Sequence, residues 1–427
     1  MKRSIELLRE RYTTSLKDDV DLFIGIELEF PIVNKKADST DITVCQEMMK
    51  HVAEEFHFLI EKYDRNGNPI QLLCPQTGDC LLFEVSYNIL EFAFGKARVI
   101  GEVENRFKAY LSTIQSYLRV HGHELEGWGV HPQWAQNDNR PVASPRYEML
   151  MQYLALPQRV QDASLHDYPE YGAFICGSQV QLDVTKKNYL RVINAFNQVE
   201  VAKAFLFANS EFWGSEWTTR IARDVFWEDS MHGIFSENVG VFPRDFKTED
   251  EFFEYLDHSV IFTAEREGES YYFYPIQVTN YLEQETIEAF NLAGEKRVIQ
   301  PSERDFLTHR SYQYQDLTTR GTIEFRSVCT QQFNRTFASA AFHLGLLIEL
   351  DQLEVLLQEA PFFQQFGRDY KSLRRKFSEW TLEREEKEAI RQFSYSLLNL
   401  SRDGLKRRGE GEESYLFPLF QQLGCCD

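Results

Sequence analysis

The sequence predicts an α+β fold in which several strands present acidic side chains on a common face. The clearest strand signal covers residues 22–30, where apolar residues alternate with Gly25, Glu27 and Glu29. A period of two is typical of a strand with one face on a core. An Asn-Gly pair at 66–67 predicts a hairpin turn, and long amphipathic stretches elsewhere predict helices.

Glu27 and Glu29 leave the same face of this first strand, about 6–7 Å apart at the backbone. Like charges on one face repel, so an ordinary surface strand would mix them with other polar residues. Gly25 leaves room on that face for a ligand to approach the backbone. Two interpretations stay open here, the solvated face of an edge strand and a carboxylate site for hard cations.

Net charge, cysteine spacing and the length of the apolar runs exclude several classes of protein. A formal net charge of −20 argues against a nucleic-acid surface, which needs basic residues. Seven scattered Cys without a C-x-x-C pair predict neither a disulfide framework nor a zinc site, and suit a reducing cytoplasm. No apolar leader follows Met1, and the longest apolar run, 337–350, is too short to span a bilayer. We expect a cytoplasmic protein, monomeric or homodimeric, without nucleic-acid or membrane partners, whose Cys425 and Cys426 are exposed thiols.

A second acidic region covers residues 81–94, which we interpret as two strands. Glu84 and Glu91 lie seven residues apart, so a single unbroken strand would point them to opposite faces. Residues 86–88, Ser-Tyr-Asn, are typical of a turn that would bring both carboxylates to one side. Without such a turn, one Glu would face the core side and the other the opposite side.

Two later strands continue the pattern. Gln179 and Gln181 share a face of the strand predicted at 173–184, and Glu324 and Arg326 share a face of the strand predicted at 322–327. Glu324 and Arg326 could simply pair with each other. If all these strands belong to one sheet, one face carries five carboxylates, and their repulsion would be severe without cations.

Other candidate ligands lie outside the strands. A loop from residue 131 ends at Arg146-Tyr147, which could form a lid or a substrate wall, or be an ordinary connection. Arg220 and Arg223 precede Trp227 in an aromatic segment. Such arginines are either surface ion pairs or ligands for an anion.

Oxygen donors without a His–Cys cluster select Mg²⁺ or Mn²⁺ over zinc. Several such ions on one face bind polyphosphate and neutralise charge during phosphoryl transfer. No G-x-x-x-x-G-K-[ST] loop is present, so P-loop nucleotide binding is unsupported. A glycosidase needs only two carboxylates, fewer than this pattern offers.

Taken in order, these motifs make the chain resemble the glutamate–cysteine ligases, particularly their plant and proteobacterial branch, within the glutamine-synthetase-like carboxylate–amine ligases. The resemblance runs from Ile24 to about Leu347. Its motifs are the Gly-x-Glu-x-Glu strand at 25–29, Phe83-Glu84-Val85-Ser86 with Leu90-Glu91, Gly129 to Trp134, Arg146-Tyr147 with Tyr153, Gln179 to Asp183, Ala204 to Ser210, Arg223 with Trp227 and Asp229, and Ile323 to Arg326.

The resemblance implies a fold, a domain plan and a set of roles. The fold would be a curved, mainly antiparallel sheet with carboxylates on its concave face and helices on the other side. It would form one catalytic domain over residues 1–427, with a helical C-terminal extension at 355–427. Two or three Mg²⁺ ions, or Mn²⁺, would be held against ATP by Glu27, Glu29, Glu84, Glu91, Gln179 and Glu324. Among these, Glu27 and Glu324 are also implied to be catalytic.

The substrate residues follow from the same resemblance. Arg326 would stabilise the transferring γ-phosphate, and Arg223 would hold the α-carboxylate of glutamate. The remaining implied substrate residues are Gln181, Arg146, Tyr147 and Trp227. The implied reaction joins the γ-carboxylate of L-glutamate to L-cysteine through a γ-glutamyl phosphate, with release of ADP and phosphate. The alternatives are another amine acceptor, a guanidino-type phosphotransferase and a non-catalytic ligand-binding relative.

Three departures from the branch concern the acceptor. Gln181 replaces the usual Asn and is one methylene longer. Residues 74–79 replace an acidic Glu-Pro-Gly-Gly element, for which Asp79 is a partial substitute at most. Ser327-Val328-Cys329 replaces Gly-Ala-Asp after the arginine. We expect these changes to affect the choice of amine more than the chemistry.

Overall fold

The computed structural model describes residues 2–159 and 165–424. The strands within these residues are β1 (Ile24–Asn34), β2 (Leu59–Tyr63), β3 (Pro69–Leu73), β4 (Cys80–Phe83), β5 (Ile89–Ala97), β6 (His123–Leu125), β7 (Ser178–Asp183), β8 (Val239–Gly240), β9 (Val260–Arg266), β10 (Glu269–Gln277), β11 (Ile287–Asn291), β12 (Lys296–Ile299), β13 (Tyr312–Gln313), β14 (Gln315–Leu317) and β15 (Thr322–Phe325).

The helices within the same residues are α1 (Arg3–Thr13), α2 (Ile42–Phe56), α3 (Ile100–Val120), α4 (Pro145–Leu154), α5 (Tyr189–Leu206), α6 (Ala222–Glu228), α7 (Glu249–Leu256), α8 (Val278–Tyr281), α9 (Ala338–Ile348), α10 (Leu350–Glu359), α11 (Pro361–Phe366), α12 (Tyr370–Lys376), α13 (Arg384–Arg408) and α14 (Phe417–Gln422). Of the described helices, none is both long enough and apolar enough to cross a membrane.

The largest sheet has the strand order β14-β15-β7-β1-β5-β4-β3-β2, and β6 pairs with the end of β1. Every neighbouring pair in it is antiparallel. The predicted mixture of helices with a mainly antiparallel sheet is therefore confirmed. Helices α3, α5 and α9 pack against strands of this sheet.

Strand β1 lies in the middle of the sheet, between β5 and β7. Its apolar residues, among them Ile24, Ile26 and Leu28, are at most 2 % exposed and belong to the main hydrophobic core. The alternating residues Glu27 and Glu29 face the other way. The edge-strand interpretation of this stretch is wrong, because both backbone edges of β1 are paired.

The predicted turn between the second pair of acidic strands is also present. Strands β4 and β5 form a hairpin in which the backbone N–H of Glu84 donates to the carbonyl of Ile89 at 3.2 Å. Val85 turns the chain with a φ of 60°, in the left-handed region that β-branched residues rarely adopt. This backbone reversal brings Glu84 to the same side of the sheet as Glu91.

Some predicted elements differ from the structure. The polar sequence of residues 283–304 predicts a loop with a helical segment, but these residues contain β11 and β12 of a second sheet, ordered β12-β11-β10-β9. Strand β12 is the edge strand of this sheet, and Val298 in it is 70 % exposed. Its sequence therefore lacks the alternation of apolar and polar residues that marks a half-buried strand. The sequence also predicts a strand at 125–130, but β6 ends at Leu125. The helix that the mostly apolar residues 337–357 predict is interrupted at Glu349, between α9 and α10.

The C-terminal region is helical, as predicted, as far as it is described. Helix α13 packs on α9, and α12 packs on α5, so these helices share the main core with the sheet. The division into one catalytic domain and an extension stays a prediction. Cys425 and Cys426 lie outside the described residues, and the cysteines within them are unpaired.

Candidate active site

A cavity of about 610 Å³ lies over the acidic face of the large sheet. Strands β1, β4, β5, β7 and β15 and helices α4 and α6 contribute to its wall. All the predicted site residues except Gln181 line it, namely Glu27, Glu29, Glu84, Glu91, Gln179, Glu324, Arg326, Arg223, Arg146, Tyr147 and Trp227. Residues scattered over 300 positions of the sequence are thus brought to one site.

Strand register explains how the acidic residues meet. Glu29 on β1 is paired with Glu91 on β5, and Glu27 is paired with Gln179 on β7. Glu324 on β15 is paired with Gln181, the next residue on the same face of β7. Directly opposite residues in antiparallel strands have their Cβ atoms about 5 Å apart, so these side chains are immediate neighbours.

Burial makes it unfavourable for the carboxylates of this face to be ionised together, although Arg326 and Arg223 lower the pKa of neighbouring glutamates. Burial raises the pKa of Glu27 to about 7, and the charge of Glu324 adds to the increase. Burial likewise raises the pKa of Glu29 to about 7. Burial, with Glu84 and Glu27 nearby, raises the pKa of Glu91 well above its usual range. Bound cations would lower all three pKa values, because opposite charge favours the ionised carboxylate.

Whether a cation fits can be tested on the donors themselves. The donor set consists of carboxylate and amide oxygens, which suit Mg²⁺ or Mn²⁺. Gln179 donates its amide N–H to Glu29 at 3.3 Å, but its buried amide oxygen has no hydrogen-bond partner. Such a buried acceptor is costly unless something binds it. The types of donor therefore fit a hard cation.

The positions of these donors do not form a closed coordination shell. Across the described residues, no three His, Cys, Asp or Glu side chains are grouped closely enough to hold a metal ion as they stand. Several of the oxygens are instead engaged with protein donors. Glu29 accepts from the backbone N–H of Gly177, and Glu27 accepts from Gln181 at 2.9 Å. A cation would have to draw these carboxylates together.

Gln181 lies beside the cavity rather than in its wall. Its amide N–H donates to Glu27, and its amide oxygen accepts from Arg320 at 2.7 Å. Gly25 is its partner on β1, where an added Cβ would lie 3.2 Å from the Cβ of Gln181. Gln181 therefore fixes one oxygen of Glu27 from the side, and the Gly25 position leaves space for the glutamine.

Glu324 and Arg326 do pair with each other, at 2.7 Å between Nη1 and Oε1. The pair faces the cavity, with Arg326 only 12 % and Glu324 only 6 % exposed at the side chain. The guanidinium of Arg326 also lies 5.8 Å from the ring centre of Tyr312. The two residues therefore pair with each other and also lie in the cavity wall.

Arg223 and Arg220 have different surroundings. Arg220 pairs with Glu211 at 3.2 Å, as a surface arginine would. Arg223 is buried on α6 and donates to the carbonyl of Val328 at 3.2 Å, while its Nε has no partner. Its guanidinium lies directly over Gly177, where an added Cβ would be 2.5 Å from Nη2. The absence of a side chain at Gly177 lets Arg223 reach the cavity.

Helix α4 and the end of α6 provide the remaining predicted residues. The hydroxyl of Tyr147 donates to Glu84 at 2.8 Å, which joins α4 to the acidic face. The guanidinium of Arg146 lies 5.4 Å from the ring centre of Tyr147. Trp227 stacks on Tyr312 with 5.1 Å between ring centres.

The sequence analysis missed several residues of the cavity wall. They are Asp316, Arg310, Tyr312 and His232. Asp316 is paired with Glu324 across β14 and β15, and burial raises its pKa to about 7. His232 is held by Tyr171 at Nδ1, and burial lowers its pKa to about 3, so this imidazole is neutral. The only sequence signal for Asp316 was alternation, which a three-residue strand is too short to reveal.

Two residues at the departures from the family branch, Asp79 and Cys329, are buried in the structure, and so is His123. Asp79 is fully buried, where it accepts from Tyr110 and Gly95 at 2.9 Å each, so it is not a substitute ligand. Cys329 is buried against Ser210 at 3.2 Å. Its position next to Gly122 at the end of a helix predicts that His123 lies at the surface, but His123 is buried and accepts from the backbone N–H of Asp41.

The family assignment follows from a comparison with known proteins. The family model described as glutamate-cysteine ligase family 2 (GCS2) matches residues 23–421. The chain belongs to this glutamate–cysteine ligase family. The predicted family resemblance is therefore confirmed.

Individual relatives are distant. The chain is 22 % identical over 324 residues to the chloroplastic glutamate–cysteine ligase of Brassica juncea, with 72 % of this chain and 57 % of that protein covered. The Arabidopsis thaliana enzyme of the same name is 23 % identical, with 72 % and 56 % covered. The chain thus spans a little over half the length of these two plant enzymes.

The solved complex of the prokaryotic ubiquitin-like protein Pup with its ligase PafA gives a TM-score of 0.39 at 10 % identity, covering 96 % of this chain and 66 % of that chain. A score below 0.5 supports no argument.

Proposed function

We propose that the protein is an ATP- and Mg²⁺-dependent ligase that joins the γ-carboxylate of L-glutamate to the amine of L-cysteine. The observation that carries this proposal is the cavity in which Arg223 and Arg326 lie beside the acidic face of the sheet. A site of this kind combines carboxylates for cations with arginines for anionic substrate groups. Membership of the glutamate–cysteine ligase family supports the same reaction.

In this proposal, Glu27, Glu29, Glu84, Glu91, Gln179 and Glu324 hold two or three Mg²⁺ ions, with Mn²⁺ as a possible replacement. The unpartnered oxygen of Gln179 and the raised pKa values of Glu27 and Glu29 support this assignment. When bound, the ions would neutralise the phosphates of ATP and polarise their oxygens. Gln181 would orient Glu27 through its hydrogen bond.

Arg223 and Arg326 would each bind a different anionic group of the substrates. Arg223 would bind the α-carboxylate of glutamate, because its buried Nε lacks a partner. Arg326 would stabilise charge on the transferring phosphoryl group, and this requires it to move from Glu324. Arg146, Tyr147 and Trp227 would form the wall against the substrates.

The reaction proceeds in two transfers. A γ-carboxylate oxygen of glutamate attacks the γ-phosphorus of ATP, the bond to the β,γ-bridging oxygen breaks, and ADP leaves. The neutral amine nitrogen then attacks the acyl carbon of γ-glutamyl phosphate. The carbon–oxygen bond to phosphate breaks as the nitrogen loses a proton. Donors placed where charge develops on the phosphoryl and acyl oxygens would accelerate both transfers.

The experiment is phosphate release from ATP with Mg²⁺ and glutamate, using cysteine, 2-aminobutyrate or no amine. Cysteine-dependent release with a γ-glutamylcysteine product by mass spectrometry supports the proposal. Release with a different amine retains the ligase class and changes the acceptor. A phosphorylated acceptor without phosphate release indicates a guanidino-type phosphotransferase, and no release with any amine favours a ligand-binding relative.

Domain plan, assembly and location remain proposals of the same kind. We expect a single catalytic domain over 1–427 with a helical extension at 355–427, as a monomer or homodimer. Cytoplasmic location also stays a prediction, since the two plant relatives are described as chloroplastic.

A further inference from the structure

Helix α6 carries two of the proposed substrate residues on one face and two acidic residues on the next. Arg223 and Trp227 line the cavity and lie four residues apart, so they share a face of the helix. Asp224 and Glu228 directly follow them and are also four residues apart. Both of these acids are buried, Asp224 at 2 % and Glu228 at 8 % exposed. The direction in which Arg223 points therefore depends on what the two acids bind.

Helix α12, in the C-terminal region, supplies the charge partners of both acids. Arg374 binds Asp224 with two of its nitrogens. Glu228 is paired with Arg375 at 3.1 Å and with Lys371 at 3.2 Å. Three cations of one helix therefore hold two carboxylates of α6.

The segment that leads into α6 is held by the residues that follow α12. Thr219 forms an antiparallel bridge with Glu379. The backbone N–H of Arg220 donates to the carbonyl of Ser378 at 2.8 Å, and the hydroxyls of Thr219 and Ser378 lie 2.6 Å apart. The C-terminal region therefore contacts α6 along its length and also at the approach to its first residue.

Helix α6 depends on contacts of this kind because it is short. It has seven residues, and its N-cap residue Ile221 makes no side-chain capping bond. Isolated helices shorter than about 12–15 residues are marginal in water, so tertiary contacts must stabilise α6. A buried, satisfied ion-pair network also fixes a single geometry. If the pairs with α12 are lost, α6 can rotate or shift, and Arg223 then moves relative to the cavity.

We propose that α12 and residues 378–380 are a positioning element of the active site, which orients α6 and thereby Arg223 and Trp227. The C-terminal helical region then contributes to the binding of glutamate, although none of its described residues lines the cavity. This inference rests on the proposed ligase function, in which Arg223 binds the α-carboxylate of glutamate.

The test breaks the contacts of Glu228 with α12 and leaves the cavity wall intact. The double variant Arg375→Met/Lys371→Met deletes both cations. Glu228→Gln deletes the charge but keeps an acceptor for the Tyr314 hydroxyl, which lies 3.1 Å away. We expect either change to raise KM for glutamate about 5- to 10-fold, as for a weakened charged hydrogen bond from Arg223. The values of kcat and of KM for ATP should stay within about twofold.

A double-mutant cycle tests whether the effect passes through Arg223. In an Arg223→Lys background, Glu228→Gln should raise KM for glutamate by less than about twofold, because the guanidinium that α6 orients is no longer present. A role of Glu228 in stability alone would give the same change in both backgrounds. Arg375→Lys keeps a charge beside Glu228 and should recover most of the glutamate affinity that Arg375→Met loses.

Arg191→Met is the matched control. Arg191 on α5 binds Glu354 on α10 at 2.6 Å and also binds Asp351, so it joins another C-terminal helix to the core outside the cavity. This substitution should leave KM for glutamate unchanged. Circular dichroism shows whether each variant folds, and the single variant Arg375→Met replaces the double variant if the latter does not.

Three outcomes would overturn the inference. An unchanged KM for glutamate in Glu228→Gln and in the α12 variant would show that α12 does not orient Arg223. Equal increases in the wild-type and Arg223→Lys backgrounds would show that the effect bypasses Arg223. An equal increase in Arg191→Met would assign it to a general loosening of the helices. In each of these cases the wild type still releases phosphate, whereas an absence of release with every amine would instead reject the proposed function.

Discussion

Arg374 on α12 is bound to Asp224 on α6, with 2.6 Å between Nε and Oδ2 and 3.2 Å between Nη2 and Oδ1. Asp224 directly follows Arg223. Arg374 also pairs with Glu200 at 2.7 Å and donates to the carbonyl of Ser327, the residue after Arg326. One buried arginine from the C-terminal helices therefore supports the backbone next to both proposed substrate arginines.

Replacing this arginine should destabilise the protein strongly. Arg374→Met would leave Asp224 buried without its charge partner, and removing one partner of a buried ion pair costs about 3–5 kcal/mol. Urea unfolding monitored by circular dichroism measures the change. Lys108→Met removes an exposed i,i+4 pair with Glu104 and should cost under about 0.5 kcal/mol. Equal effects of the two substitutions would contradict this account of Arg374.

The close approach of Arg223 to Gly177 can be tested by adding one methyl group. In Gly177→Ala the new Cβ would lie 2.5 Å from Nη2, so the flexible end of Arg223 must move. We expect KM for glutamate to rise about tenfold, as for a weakened charged hydrogen bond, with stability almost unchanged. Gly101→Ala is the matched control, because its Cβ would meet only the Tyr415 hydroxyl at 3.8 Å. A normal glutamate KM in Gly177→Ala would show that Arg223 does not bind glutamate.

His131 predicts a specific dependence of stability on pH. Its Nδ1 accepts from the backbone N–H of Gln133, and its Nε2 donates to the carbonyl of Ile32, so the neutral ring is fixed. Burial lowers the pKa of His131 to about 4 from an ordinary value of 6.5. The unfolded chain therefore binds the proton first, and this contribution to stability is lost as pH falls from 6.5 towards 4.

Unfolding free energies at pH 7 and pH 4.5 would be compared for the wild type, His131→Gln and His121→Gln, which replaces an exposed histidine. Each pKa unit corresponds to about 1.4 kcal/mol, so the loss of unfolding free energy between pH 7 and pH 4.5 should be roughly 2 kcal/mol smaller in His131→Gln than in the wild type. His121→Gln should follow the wild type. The account of His131 fails if all three proteins lose stability equally over this range.

Cation binding should stabilise the protein through the acidic face. Because Glu27, Glu29 and Glu91 are buried with raised pKa values, Mg²⁺ should raise the melting temperature relative to the protein in EDTA. A concentration 100 times the dissociation constant adds about 2.7 kcal/mol. Glu29→Gln should lose most of this increase, and Glu55→Gln, an exposed carboxylate outside the cavity, should keep it. An equal shift in all three proteins would show that Mg²⁺ binds elsewhere.

The sequence predicts the acidic face well because residues 24–30 of β1 alternate between apolar residues and Gly or Glu. This period identifies Glu27 and Glu29, and the turn at 86–88 correctly brings Glu84 and Glu91 together. Asp316 was not predictable in this way. Its strand has three residues, and its position opposite Glu324 comes from tertiary pairing with β15.

Arg310 and Arg374 were missed for a different reason. Both lie in polar stretches whose hydropathy suggests a solvent-exposed surface, and charge alone does not reveal what a side chain will face. Arg374 is only 2 % exposed because Glu200 and Asp224, some 150 residues or more earlier, meet it in the core. Long-range partners of this kind are fixed by the fold and leave no local pattern.

The most direct measurement of the central claim follows oxygen from glutamate to phosphate. The protein would be incubated with ATP, Mg²⁺, cysteine and glutamate carrying ¹⁸O in its γ-carboxylate, and the released phosphate would be examined by mass spectrometry. Activation through γ-glutamyl phosphate predicts one ¹⁸O in each phosphate formed together with γ-glutamylcysteine. Phosphate that is released without ¹⁸O would contradict the proposed chemistry, because the carboxylate oxygen would then never have been bonded to phosphorus.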